Sequence, residues 1–108
     1  MTAVLEQNAK LEAGEFTTEP YEVAWASEAR WFVFTEEFDR GMTAMVTVEV
    51  SPEGLTWCPL PGVESLTLGD GELCTVSCRD FGGWLRLRIQ AEGAGTFRGV
   101  RIYLALKG

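Results

Sequence analysis

The feature that most constrains the fold is a strict alternation of apolar and polar residues in the middle of the chain. Val46, Val48 and Val50 are separated by Thr47 and Glu49. Successive side chains of a β-strand point to opposite faces, so this period of two predicts a strand with one buried face. The next four residues, Ser-Pro-Glu-Gly, predict a turn, because proline fixes φ and glycine accepts a positive φ.

The same pattern recurs towards the C-terminal end of the sequence. Residues 84–89 (Trp-Leu-Arg-Leu-Arg-Ile) and 100–106 (Val-Arg-Ile-Tyr-Leu-Ala-Leu) alternate in the same way. Glycine-rich segments at 69–71, 80–83 and 92–95 predict turns, the last of them a hairpin into the final strand. About eight short strands separated by such turns predict an all-β, antiparallel β-sandwich of jelly-roll or discoidin-like type.

The inward positions of these strands give the predicted hydrophobic core. Apolar residues that alternate with polar ones belong to the face that packs against the opposite layer. The predicted core residues are Val33, Val46, Val48, Val50, Trp57, Val76, Leu85, Leu87, Ile89, Val100, Ile102 and Leu104.

Length and charge limit the classes of protein to which the chain can belong. With 108 residues it fits one domain. We expect residues 1–14 to form an N-terminal strand or arm, and residues 15–108 to form the β-sandwich domain. The net charge of −7 disfavours a nucleic-acid partner, and the apolar runs are too short to cross a membrane.

The sequence offers little to support catalysis or metal binding. It contains no histidine, which excludes Ser-His-Asp and Cys-His catalytic sites and the common zinc ligand sets. Three cysteines, Cys58, Cys74 and Cys78, are expected to be reduced thiols, with the last two in the core. The acidic residues Glu36, Glu37 and Asp39 suit either a calcium site or solvated loop charge. We therefore predict a protein that is not an enzyme, with no catalytic residue, no metal site and no cofactor.

One combination of motifs resembles a known group of proteins. Ser51-Pro-Glu-Gly-Leu-Thr-Trp57, placed between two strands, is similar to the S-x-D/E-G-x-x-W motif of small β-sandwich domains in bacteriophage virion proteins. Residues 84–89, with Arg86 and Arg88, and the pair Gly95-Thr96 before the last strand resemble later parts of those domains. The resemblance implies a jelly-roll or discoidin-like sandwich and a structural role in a virus particle.

Six residues are candidates for an interaction surface. Arg86, Arg88, Arg101 and Tyr103 are expected to point outward from two adjacent final strands. Arginine and tyrosine are enriched at the centres of protein interfaces, although cross-strand pairing with Glu49 or Glu92 would also explain the arginines. Tyr21 and Trp25, which lie in a less regular segment, are expected to form an exposed aromatic platform.

These observations predict a non-catalytic structural protein of a phage or phage-like particle. A capsid decoration protein is expected first, and a head fibre or tail component next. The expected partners are further copies of the chain, with a trimer as the first candidate, and a capsid or tail protein. The expected location is the virion, after synthesis in the host cytoplasm without a signal peptide. The alternative is a carbohydrate-binding module of discoidin-like type, whose partner would be a carbohydrate.

Overall fold

The computed structural model describes the backbone of residues 2–68 and 73–108, and the side chains of residues 10–68 and 73–108. The turn predicted at 69–71 lies outside the described residues. Nine strands are described, and no helix in this part of the chain is long and apolar enough to span a membrane. The strands are β1 (Thr2–Thr17), β2 (Tyr21–Glu22), β3 (Glu28–Phe34), β4 (Glu37–Phe38), β5 (Thr43–Ser51), β6 (Cys58–Pro59), β7 (Leu66–Thr67), β8 (Cys74–Arg79) and β9 (Trp84–Lys107).

The strands form an antiparallel β-sandwich, which confirms the predicted fold class. In the first layer, β5 pairs with the first part of β9, from Trp84 to Glu92, and β6 and β7 pair with β5. In the second layer, β3 pairs with the last part of β9, from Arg101 to Lys107, and β8 pairs with β3. Strand β9 therefore belongs to both layers.

The two ends of β9 lie close together at one end of the sandwich. The Val23 N–H donates a hydrogen bond to the Gly83 carbonyl at 2.7 Å, just before β9 begins. The Ser27 N–H donates to the Lys107 carbonyl at 2.8 Å, where β9 ends. A short segment thus joins both ends of a 24-residue strand, so β9 must bend between the layers. We call the end of the sandwich where these two hydrogen bonds lie the open end, and the opposite end the bend.

The hairpin predicted at residues 92–95 is wrong, because β9 continues through them. Glu12 pairs with Thr96 and Gly14 pairs with Ala91, so residues 92–95 bulge outward opposite a single residue of β1. The glycines in this segment provide the bend between layers without reversing the chain. The two arginine-bearing segments that were expected on adjacent strands are consequently the two halves of one strand.

Strand β1 follows β9 along most of its length. Its pairing runs from Thr2 opposite Ala105 to Thr17 opposite Arg88, with register shifts at four places. Residues 2–14, predicted as a strand or arm, therefore form most of β1, which continues past the boundary predicted between residues 14 and 15.

The core lies between the layers and takes one face of each long strand. Nine of the predicted core residues are buried: Val33, Val46, Val48, Leu85, Leu87, Ile89, Val100, Ile102 and Leu104. Val50 and Val76 are only partly buried against this core, and Trp57 lies outside it. Trp31 and Phe97, which were not predicted as core residues, are the two largest fully buried side chains among the described residues.

The cysteines follow the same layering. Cys78 is buried, Cys74 is partly buried and Cys58 is exposed. Burial raises the pKa of the Cys78 thiol to about 11, because the thiolate would lose its hydration.

The bend of β9 leads to a prediction for Gly93. Its φ is +127°, and an added Cβ would lie 2.5 Å from Met42 Sδ and 2.9 Å from the Gly41 carbonyl oxygen. We expect Gly93→Ala to lower the free energy of unfolding by about 1–3 kcal/mol, through strain and overpacking. Urea denaturation monitored by tryptophan fluorescence measures the change.

Gly83→Ala is the matched control for this experiment. An added Cβ at Gly83 meets its nearest neighbour, the Pro52 carbonyl oxygen, at an ordinary 3.6 Å. Equal urea midpoints for the two variants would contradict the role assigned to Gly93.

Candidate interaction surface

The predicted arginines of the first layer are bound to a buried carboxylate. Glu49 is only 4% exposed, and Arg86 lies directly opposite it on β9. Both Nε and Nη2 of Arg86 lie 2.8 Å from Glu49 Oε1. Arg88 Nη1 lies 3.8 Å from Glu49 Oε2, and Arg88 also pairs with Glu15. Both arginines are therefore engaged in cross-strand ion pairs, which was the simpler explanation considered for them.

The turn that begins at Ser51 brings Trp57 over this ion pair. Ser51 Oγ accepts a hydrogen bond from the Gly54 N–H at 2.8 Å, and it donates one to the Glu53 carboxylate at 3.0 Å. Hydrogen bonds from the Thr56 backbone and then from Ser51 lower the pKa of the Glu53 carboxyl. The turn is thus held by its own side chains.

Two further contacts attach the turn to β9. Gly54 has a φ of +86° and packs against the Trp84 ring, which an added Cβ would meet at 3.3 Å. The Arg86 guanidinium lies 4.4 Å from the centre of the Trp57 ring, in cation–π geometry. The sequence motif from Ser51 to Trp57 therefore has a structural explanation, which is to cover the Arg86–Glu49 pair.

Arg101 and Tyr103 lie on the other layer, among aromatic residues that sequence analysis did not single out. Tyr103 lies opposite Phe32, and Arg101 lies opposite Phe34, on the outer face of the second layer. The Arg101 guanidinium is 4.5 Å from the centre of the Phe34 ring. An open, largely apolar groove is lined by these four side chains and by a fifth, Leu73, which is 56% exposed.

This outer face is also basic. Arg30, Arg79 and Lys107 share it with Arg101, and two described carboxylates lie beside them: Glu28 at one end of the face and Glu36, next to Gly99, at the other. Arg79 and Lys107 pair with Glu28, whereas Arg30 and Arg101 have no carboxylate partner among the described side chains. We call this surface the basic aromatic face; its residues are Arg30, Phe32, Phe34, Leu73, Arg79, Arg101, Tyr103 and Lys107.

The two aromatic residues of the N-terminal segment have different surroundings. Tyr21 is partly buried against the core, so the exposed platform predicted for it is wrong. Trp25 is 52% exposed, and Gly108 lies against its ring. Trp25 is therefore an exposed aromatic side chain at the open end.

Two of the three carboxylates that were considered for calcium binding are paired with an arginine, and the third, Glu36, is exposed. Arg98 donates hydrogen bonds of 3.0 Å to both Glu37 and Asp39. The Thr96 backbone N–H and then Arg98 lower the pKa of the Asp39 carboxyl. Among the described residues, no group of three or more histidine, cysteine, aspartate or glutamate side chains is arranged to hold a metal ion.

The buried pair leads to a prediction for Arg86. Arg86→Ala would leave the Glu49 carboxylate buried, with Arg88 as the cation that remains near it. We expect the free energy of unfolding to fall by roughly 3 kcal/mol, because an unpaired buried charge is strongly destabilising. Chemical denaturation at neutral pH measures the loss.

Arg79→Ala is the control, since Arg79 belongs to an exposed ion pair and its side chain is 72% exposed. It should cost less than about 1 kcal/mol. An equally small effect of Arg86→Ala would contradict this prediction. It would show that water hydrates the Glu49 carboxylate once the Arg86 guanidinium is removed.

Comparison with known sequences finds no match, whereas comparison with solved structures shows which fold the chain has. No protein family and no curated protein matches it in sequence. The PBSX exported protein XepA is similar in structure, with a TM-score of 0.78 and 12% identity over all of this chain and 37% of that one. A chain of infectious bursal disease virus, Gt strain, has a TM-score of 0.58 and 11% identity over 96% of this chain and 30% of that one.

A third similar structure is matched over almost its whole length. The CBM36-1 domain of a multidomain xylanase, from the hindgut metagenome of Trinervitermes trinervoides, has a TM-score of 0.52 and 11% identity. The match covers all of this chain and 98% of that domain, whereas the chain spans about a third of XepA and of the virus chain. At these identities the likeness establishes the fold, an antiparallel β-sandwich of jelly-roll type.

Proposed function

We propose that the chain is a non-catalytic structural protein of a phage or phage-like particle. Its role would be capsid decoration, or else that of a head fibre or tail component, by self-association and docking on the particle. The observation that carries this proposal is the basic aromatic face. It combines an apolar groove with two arginines that lack a carboxylate partner among the described side chains, on a chain whose net charge is −7.

A surface of this composition suits protein docking. Aromatic residues and arginine are the side chains most enriched at the centres of protein interfaces. Arg101 lies over the Phe34 ring in the free chain, so little side-chain entropy remains to be lost when a partner binds. The likeness of fold to a chain of infectious bursal disease virus supports the setting of a particle.

The roles found for other charged groups favour a non-catalytic protein. Glu49 and Arg86 stabilise the first layer, Glu53 holds its turn, and Asp39 and Arg98 hold the bend. Each of these groups has a structural partner, and the sequence contains no histidine to serve as a general base.

Density-gradient fractionation tests the location of the protein. Particles would be purified from cells in which the genome that encodes this chain is induced, and the fractions would be analysed by mass spectrometry. We expect the chain to sediment with the major shell protein, because it docks on the assembled particle.

A chain found entirely in the soluble fraction, with the shell protein at particle density, would contradict the proposal. Re-addition of purified chain to particles from a deletion strain is the control, and it should restore sedimentation with the particle.

A carbohydrate-binding function is the second candidate. It is supported by the fold shared with the CBM36-1 domain and by aromatic rings along an open groove, where sugar rings stack. Calorimetric titration with xylohexaose and cellohexaose distinguishes the two functions. Saturable binding that Tyr103→Ala abolishes would favour the carbohydrate function, and its absence would favour protein docking.

A further inference from the structure

Three segments at the open end of the sandwich form an acidic surface. They are 18–27, 51–57 and 80–83, and they meet beside the two ends of β9, where Arg79 and Lys107 of the basic aromatic face adjoin them. Four exposed carboxylates lie there, and the three segments contain no lysine or arginine. These carboxylates are Glu19, Glu22, Glu53 and Asp80. We call this surface the acidic end.

The acidic end also exposes large apolar side chains. Trp25 is 52% exposed and Leu55 is 84% exposed, and both belong to the segments that form this end. Burial of side chains of this size in an interface removes apolar surface from water and so favours association. The acidic end therefore combines negative charge with apolar groups that have no layer of the sandwich above them.

The basic aromatic face has the complementary composition. Its four cationic side chains outnumber the two described carboxylates beside it, Glu28 and Glu36, and its groove is lined by Phe32, Phe34, Leu73 and Tyr103. Contact between two basic aromatic faces would bring like charges together, which opposes a two-fold symmetric dimer through this face. Contact between a basic aromatic face and an acidic end brings opposite charges together and buries apolar groups from both sides.

We propose that identical copies associate head to tail, with the acidic end of one copy on the basic aromatic face of the next. The inference rests on the self-association included in the proposed function, and it names the two surfaces that meet. A face of a layer and an end of the sandwich point in different directions, so each contact turns the next copy. Contacts of this kind close into rings when the rotation permits.

Light scattering coupled to size-exclusion chromatography tests the proposal on the purified full chain. The wild type should form an oligomer at about 0.05 M NaCl and dissociate partly at about 0.5 M NaCl, because salt screens the charges. Reversal of the face, Arg30→Glu with Arg101→Glu, should give monomers. Reversal of the end, Glu19→Lys with Glu22→Lys, should also give monomers.

Mixing the two reversed variants distinguishes the pairing of these two surfaces from a general effect of charge. The face variant keeps a native acidic end, and the end variant keeps a native basic aromatic face. An equimolar mixture should therefore form a mixed oligomer in which the two variants alternate, because the native contact and the contact with both charges exchanged each bring opposite charges together. A chain that carries all four substitutions should recover the oligomer, since both charges of the contact are exchanged.

Two further variants complete the experiment. Arg40→Glu changes the same charge in an exposed turn at the bend, remote from both surfaces, and should leave the wild-type mass unchanged. Trp25→Ala changes no charge and should weaken association at least about tenfold, through loss of the exposed aromatic side chain. Circular dichroism confirms that each variant is folded.

Several results would overturn the inference. They are a monomeric wild type at low salt, folded face or end variants that keep the wild-type mass, or a mixture that stays monomeric. None of these results decides where the protein is located, because the sedimentation experiment above uses particles rather than the isolated chain. A face variant that keeps its oligomeric mass but no longer sediments with particles would assign the basic aromatic face to the particle instead.

Discussion

The whole sandwich depends on the backbone pairing of β9. Strands β1, β2, β3, β4 and β5 all form ladders with it, and it contributes inward side chains to both layers. Leu85, Leu87 and Ile89 enter the core from the first layer, and Val100, Ile102 and Leu104 enter it from the second. Since the same strand supplies both layers, any distortion of β9 affects both at once.

The two outer faces of the sandwich differ in how their arginine charges are neutralised. In the first layer, the turn from Ser51 to Trp57 covers Arg86, whose charge is neutralised by the buried Glu49. In the second layer no comparable turn is described, and Arg101 lies beside aromatic rings without a carboxylate partner among the described side chains. The first face stabilises the fold, whereas the second retains unpaired charge and apolar area that can serve in binding.

Local patterns were sufficient to predict the strands, because alternation directly reports which side of a strand is buried. They failed at residues 92–95, where glycines are equally compatible with a chain reversal and with a bend, and the choice depends on pairing with distant residues of β1 and β5. The same dependence explains Trp57, which alternates like a core residue yet stacks on an arginine from another strand.

Only part of the basic aromatic face could be predicted from the sequence. Arg101 and Tyr103 were recognised, but Phe32 and Phe34 belong to a continuously apolar run, Trp31 to Phe34, in which no alternation shows which face is exposed. Arg30, two residues before Phe32, was the available signal, since it places a charge on the same face as both phenylalanines. The face forms because β3 pairs with β9, and no local sequence pattern predicts that pairing.

The position of β9 in the chain has a consequence for how the protein acquires its structure. It follows the other eight strands, so the ribosome releases it after all of them. Strands β1, β3 and β5 therefore leave the ribosome before the strand that each must pair with exists. Such long-range pairing slows folding, and it leaves the edges of earlier strands exposed to other chains. The sandwich can consequently form only after translation has passed β9.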